Sequence, residues 1–181
     1  MLTLHPEYQE KVFQEILTVM PHIDTELTKA DLDKLEFIDL CIRETLRIFP
    51  TAPIIARTSI KPIKLNNNVE IPPDVPIVFG IRQLHIREEY YGPTSRIFSP
   101  YRFMDEKVKT LPSSAYVPFS YGARNCIGYF YAKVSVKCCV VHLIRNYRLT
   151  TIYKNIDEMK PVLNVSMRLI DKNMVILERR K

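Results

Sequence analysis

The stretch that decides the reading is Phe119-Ser120-Tyr121-Gly122-Ala123-Arg124-Asn125-Cys126-Ile127-Gly128. Two of the chain's four glycines flank one of its four cysteines within seven residues. Glycine allows turns and close approaches that a Cβ blocks. The cysteine stands just before a helical run, where the positive end of the helix dipole favours an anionic sulfur, and Arg124 adds positive charge. A thiolate offered in a tight loop is a soft metal ligand or a nucleophile. A buried structural cysteine before a helix is the bland alternative, and the loop alone leaves the two readings evenly weighted.

Downstream, the spacing predicts a long helix from just after Gly128 to about Asn146, with Phe130, Val134, Cys138, Val141 and Ile144 facing inward. The tail then alternates in pieces, at Arg148-Leu149-Thr150, Val165-Ser166-Met167 and Met174-Val175-Ile176-Leu177, which read as short strands. Upstream, Pro6 and Glu7 start a helix that carries Val12, Phe13, Ile16, Leu17 and Met20 and stops at Pro21. Thr28 or Asp31 caps a second helix, with Leu35, Ile38, Ile42, Leu46 and Phe49 on one stripe and Pro50 at its end. Ile63 and Leu65, the triplet Asn66-Asn67-Asn68, then Val69 and Ile71 read as a hairpin, followed by a strand at Pro76–Gly80. The proline-rich region 90–119 is too long for an idle loop, so it is functional or packed tightly as coil. The fold class is α+β, mainly α: one unit of three main helices, small antiparallel β-sheets and a proline-rich coil.

Composition sets the limits. In 181 residues, 46% hydrophobic and 25% charged, there is enough apolar matter for a soluble globular core. Thirteen prolines against four glycines exclude flexible low-complexity linkers. The net charge of +6 raises a nucleic-acid partner, but the basic residues are scattered. Their only cluster is Arg179, Arg180 and Lys181, and no common nucleic-acid module is visible, so no nucleic acid is expected. An acidic protein or an anionic membrane surface remains an alternative partner for the charge. Cys41, Cys126, Cys138 and Cys139 form no CxxC pair, and His5, His22, His85 and His142 show no paired-ligand spacing.

The pattern FxxGxRxCxG, met in full at Phe119–Gly128, resembles the haem-binding loop of the cytochromes P-450, the haem-thiolate monooxygenases. Glu44-Thr45-Leu46-Arg47 resembles that family's ExxR motif, on a helix that ends in proline. Phe98-Ser99-Pro100-Tyr101-Arg102-Phe103 resembles the coil motif between them. The texture is most similar to the microsomal animal branch, near the insect members of the fatty-acid-hydroxylase clan. The resemblance implies haem b, with Cys126 as the axial thiolate on iron. It implies Arg124, and with less force Arg57, as partners of the haem propionates. Phe119 and Gly122 would shape the loop, and Gly128 would let the helix approach the ring. It further implies insertion of one oxygen atom from dioxygen into a lipophilic substrate. Electrons would come from an NADPH-dependent flavoprotein reductase, with a cytochrome b-type donor as an alternative. The expected location is the cytosolic face of the endoplasmic reticulum membrane.

Glu44 and Arg47 carry two opposed expectations. Periodicity sets them opposite the apolar stripe and predicts a solvated i,i+3 pair worth a few tenths of a kcal/mol. The resemblance predicts a buried pair joined by Arg102, a structural support and not a catalytic one. Tyr101 stands where many members carry an acid, which is expected to weaken that network. His85 resembles a family histidine near the haem edge, but reads better as a satisfied surface or core residue. Cys41, Cys138 and Cys139 read as core. Lys133 and Lys137 read as a solvated face, with an acidic electron donor as the alternative.

The resemblance covers the whole chain, 1–181, as the C-terminal haem-binding portion of a single domain. The N-terminal portion, the distal helix that activates dioxygen and the membrane anchor are expected to be absent. A truncated, non-catalytic remnant is therefore the alternative function. The Thr51-Ala52-Pro53-Ile54-Ile55 run and residues 166–170 resemble two regions that line the family's substrate pocket.

Overall fold

The computed structural model describes residues 1–22, 25–66, 68–163, 166–170 and 175–180. Helix α1 spans Pro6–Val19, with proline in its first turn, where no amide partner is lost, and Glu7 against the dipole. The second helix expected from the stripe is two helices. Thr28 and Asp31 form a reciprocal capping box on α2, Lys29–Lys34. The chain breaks at Leu35 and restarts as α3, Glu36–Ile48. Leu35 has no side-chain oxygen to cap α3, so the cap comes from another helix. The Glu15 carboxylate of α1 accepts the Phe37 amide at 2.6 Å and the Ile38 amide at 3.1 Å.

The long helix α7, Tyr129–Asn146, closes one core with α1 and α3, in which Val12, Ile16, Leu35, Ile38, Val141 and Ile144 are buried. Gln9 ties the core to strand β5, Tyr147–Thr151: its amide donates to the Leu149 carbonyl at 2.8 Å and accepts the Leu149 N–H at 2.8 Å. Only the C-terminal half of α7 lies in this core. Phe130 is 80% and Val134 46% exposed, against the inward placement expected from spacing, because among the described residues no element covers them. Cys41 is buried, Cys138 half-buried and Cys139 exposed, so the core reading fails for Cys139. Lys137 is buried and bonds Asp39 of α3 at 2.8 Å, so it is neither solvated nor free for a donor protein. Lys133 is half-buried, against Tyr129.

The sheets are antiparallel ribbons. β1 (Ile54–Thr58) pairs with β4 (Pro76–Gly80), Ile54 opposite Gly80 and Thr58 opposite Pro76. β2 (Ile63–Lys64) pairs with β3 (Glu70–Ile71), which is the expected hairpin; Asn67 lies outside the described residues. β5 pairs with β8 (Val175–Arg179), and β6 (Pro161–Leu163) with β7 (Met167–Leu169). Of the expected tail strands, Val165 and Met174 lie outside the described residues.

Between β4 and α7 the chain forms only short pieces: α4 (Ile81–His85), α5 (Glu88–Tyr91), α6 (Glu106–Lys109) and short 3-10 turns at Pro100–Met104, Ser113–Ala115 and Gly122–Arg124. It is nonetheless packed, with Tyr91, Phe98, Phe103, Ala115 and Val117 each at most 7% exposed. The packed-coil expectation for 90–119 holds.

The cap supplied by Glu15 gives a direct test. Glu15→Ala should cost about 1–2 kcal/mol, the usual value of a lost helix cap. Urea denaturation measures it, and Glu15→Gln, which keeps an acceptor oxygen, should recover part of the loss.

Candidate metal centre

The support beneath the loop is a saturated charge network. On α3, Glu44 and Arg47 are both 0% exposed, so the solvated-pair expectation from periodicity is wrong. Arg47 Nε donates to Glu44 Oε2 at 2.7 Å and Nη2 to Oε1 at 2.8 Å, a bidentate fork. Its remaining N–H groups reach the carbonyls of His85 and Ser95 through Nη1 and of Ile97 through Nη2. Arg102 donates to Glu44 Oε1 at 3.4 Å, to the Tyr91 carbonyl at 2.7 Å and to Thr94 and Ile97. The Ser99 amide adds a further bond to Glu44 at 3.0 Å. Each guanidinium thus uses all its donors, and both carboxylate oxygens are bonded, Oε1 to three donors and Oε2 to one. Removing one partner strands a buried charge and costs about 3–5 kcal/mol.

Periodicity misjudged this face because α3 is buried on two sides. Ile38 and Cys41 meet the core, while Glu44, Arg47 and Ile48 meet the coil. The stripe residues Ile42, Leu46 and Phe49 are only half-buried between them. Tyr101 does not leave a gap: its ring tilts against Phe37 and lies under Lys11 Nζ at 4.6 Å, and Lys11 also reaches its hydroxyl.

The loop rises from this base. Val117 O accepts the Ser120 amide at 3.0 Å, and Phe119 O accepts the Cys126 amide at 2.9 Å. Gly122 has φ +78°, which glycine adopts freely, whereas Ser120 at φ +67° is strained. Arg57, on β1, secures that turn: Nη2 donates to Ser120 Oγ at 2.8 Å and to the Arg124 carbonyl at 3.1 Å. Arg57 and Arg124 are therefore brought together through the loop backbone, with the Arg124 residue itself exposed. The Phe119 ring packs edge-on against Tyr129 at 5.0 Å.

Cys126 is exposed at the tip, three residues before the start of α7. Gly128 has an ordinary φ of −84°, and a Cβ there would stand 3.8 Å from Cys126 Sγ, an ordinary contact. The backbone does not demand glycine at 128. The missing side chain leaves room beside the sulfur instead. Phe119 connects the sulfur loop to an apolar groove of about 470 Å³, lined also by Ile42, Thr45, Thr51, Ala132 and Val136. Among the described residues no three His, Cys, Asp or Glu side chains gather as a metal cage. A single exposed sulfur on a loop that carries Arg124, is pinned by Arg57 of β1 and lends Phe119 to an apolar groove fits a flat apolar macrocycle that brings its own metal and carries carboxylates.

Sequence reasoning missed His85 as part of this support. It is 0% exposed, its Nε2 accepts the Val117 amide at 2.9 Å, and its ring stacks on Tyr116. Its Nδ1 makes no hydrogen bond, so the residue is core but only half satisfied. Ser120 and the carbonyls of Ser95 and Ile97 were missed as well, since backbone acceptors carry no residue signature.

Comparison with known proteins agrees with this geometry. Residues 1–177 match the family model for cytochrome P450. Probable cytochrome P450 313a4 of Drosophila melanogaster is 34% identical over the whole chain, which spans 36% of that relative's length. Probable cytochrome P450 313a1 of the same fly is 37% identical over 99% of the chain and 37% of its own length. Among solved structures, cyanobacterial CYP120A1 with retinoic acid bound has a TM-score of 0.88 at 27% identity, covering 99% of this chain and 40% of that one. The chain belongs to the cytochrome P450 family, has its fold, and spans a little over a third of the length of these relatives.

The buried imidazole makes stability depend on pH. Burial pushes His85 from its ordinary value of 6.5 down to about 4; the carbonyls of Arg47 and Leu46 oppose the shift and the charge of Arg47 adds to it. Because the folded value is the lower one, the unfolded chain takes up this proton first as pH falls. The contribution is whole above about 6.5, is lost progressively from there to about 4, and stays lost below. By about pH 5 the loss should be roughly 2 kcal/mol. Urea titrations at about pH 7.5 and pH 5 should show a larger drop for the wild type than for His85→Gln; equal drops would contradict the assignment.

Proposed function

We propose that this chain is the C-terminal haem-binding portion, 1–181, of a P450 monooxygenase domain, with Cys126 as the axial thiolate. The observation that carries the reading is Cys126 itself, exposed beside the space left by Gly128 on the loop whose Phe119 lines an apolar groove. Arg124 and Arg57 would hold the carboxylates of haem b, which suits their place on the loop and on β1. Bound haem supplies an iron at which dioxygen is activated, and a thiolate ligand donates electron density that favours O–O cleavage.

The chain's own residues do the positioning. The Phe119 carbonyl holds the Cys126 amide and sets the sulfur at the loop tip. Phe119, Ala132 and Val136 offer an apolar wall that keeps water from one face of the site. Glu44, Arg47 and Arg102 fix the coil from which the loop springs. Whole relatives are far longer, so the reaction belongs to a longer assembly of elements than this chain provides. For that assembly we infer insertion of one oxygen atom into a lipophilic substrate, with electrons from an NADPH-dependent flavoprotein reductase or a cytochrome b-type donor. The endoplasmic reticulum membrane is inferred as its place from the family. No helix among the described residues is long and apolar enough to cross a membrane.

The test is the carbon-monoxide difference spectrum of the reduced chain after haem reconstitution. The wild type should show a strongly red-shifted Soret band, and Cys126→Ser should lose it while the far-ultraviolet circular dichroism stays unchanged. A band that survives Cys126→Ser, or no such band in the wild type, would overturn the assignment for this chain.

A further inference from the structure

The segment 115–119 leads into the cysteine loop and belongs to no strand or long helix, so its buried polar groups need partners from elsewhere. Three consecutive residues obtain them. The Ala115 carbonyl accepts the Tyr91 hydroxyl at 3.0 Å, and the Tyr116 hydroxyl donates to the Arg43 carbonyl of α3 at 3.0 Å. The Val117 amide donates to His85 Nε2 at 2.9 Å. Two of these bonds are made by residues also tied to the buried ion network: the Tyr91 carbonyl accepts Arg102 Nη1 at 2.7 Å, and the His85 carbonyl accepts Arg47 Nη1 at 2.7 Å. His85 holds the residue nearer the loop, Val117, where Tyr91 holds Ala115.

His85 therefore stands between two units. Through its backbone it belongs to the Glu44–Arg47 support, and through its ring it holds the root of the loop. From Val117 the bonding continues without a gap: Val117 O to the Ser120 amide, then Phe119 O to the Cys126 amide. We propose that His85 is the positioning residue of the cysteine loop, transmitting the placement of the buried ion network to Cys126 through the Val117 amide.

The imidazole suits this task for physical reasons. Nε2 accepts a backbone N–H, so it carries no proton, and burial at 0% exposure disfavours the charged ring. Arg47 of α3 and Tyr116 from the coil are the charged and titratable groups that face the ring. The ring is further fixed by stacking on Tyr116, centroids 5.2 Å apart with planes at 25°. A side chain of the same bulk without the acceptor would keep the packing and strand a buried amide. That distinguishes positioning from filling space.

The link from this residue to a metal-binding role for Cys126 rests on the function proposed above, but the hydrogen bond does not, so the test uses the full chain without haem. Amide hydrogen exchange is followed at Val117 and Cys126, with the amides of α1 as internal reference. His85→Phe should accelerate exchange at both loop amides roughly tenfold relative to α1, the effect of leaving one buried amide unpaired. His85→Gln, whose side-chain oxygen reaches the place of Nε2, should restore protection. His85→Asn, which reaches only the place of Nδ1, should not. If His85→Phe does not fold, the Gln and Asn pair decides alone. Unchanged loop exchange in His85→Phe, equal acceleration in Gln and Asn, or uniform acceleration that includes α1 would each overturn the proposal. Cys126→Ser should leave the pattern as in the wild type, so a failure of the haem reading is seen separately.

Discussion

The interaction on which the rest depends is the buried carboxylate of Glu44, held by Arg47 from its own helix and by Arg102 from the coil. Burying three charges is unfavourable unless every one is met, and here every one is. Arginine is required in both places because the fork must reach a carboxylate and several carbonyls at once, which a lysine ammonium cannot do in one plane. The carbonyls the two arginines gather, at His85 and from Tyr91 to Ile97, lie in a stretch with little regular structure of its own. Without these donors the coil would carry unpaired backbone groups in the interior.

That constraint explains why an irregular segment can support a loop whose geometry matters. The helical core of α1, α3 and α7 lies on one side of α3, and the ion network fastens the coil to the other. The loop with Cys126 is then pinned from three directions: by β1 through Arg57, by α4 through His85, and by the turn into α7. Ser120 accepts a left-handed backbone there because Arg57 bonds its side chain. The sulfur is presented outward by a scaffold whose buried guanidinium groups have every donor bonded.

Much of this was legible in the residues, and the failures have physical causes. Proline marked the start of α1, and the Pro76–Gly80 strand and the hairpin at Ile63–Ile71 were readable from β-branched residues and the asparagine turn. The single helix expected through Leu35 was broken because a stripe of apolar residues does not reveal a cap borrowed from Glu15. Phe130 and Val134 follow helical spacing, yet spacing shows which side is apolar and not whether anything covers it. Lys137 and Glu44 defeated the pattern in the opposite sense, as charged residues buried by partners distant in sequence. His85 had no local signature at all, because its partner is a backbone amide 32 residues away.

The shared carboxylate can be tested by a double-mutant cycle between Glu44→Gln and Arg102→Gln, read by urea denaturation. If Glu44 joins helix and coil as described, the two losses overlap, and the cycle should give a coupling of about 1–3 kcal/mol. Losses that add to within about 0.5 kcal/mol would mean that the two residues act independently, and the central claim would fall.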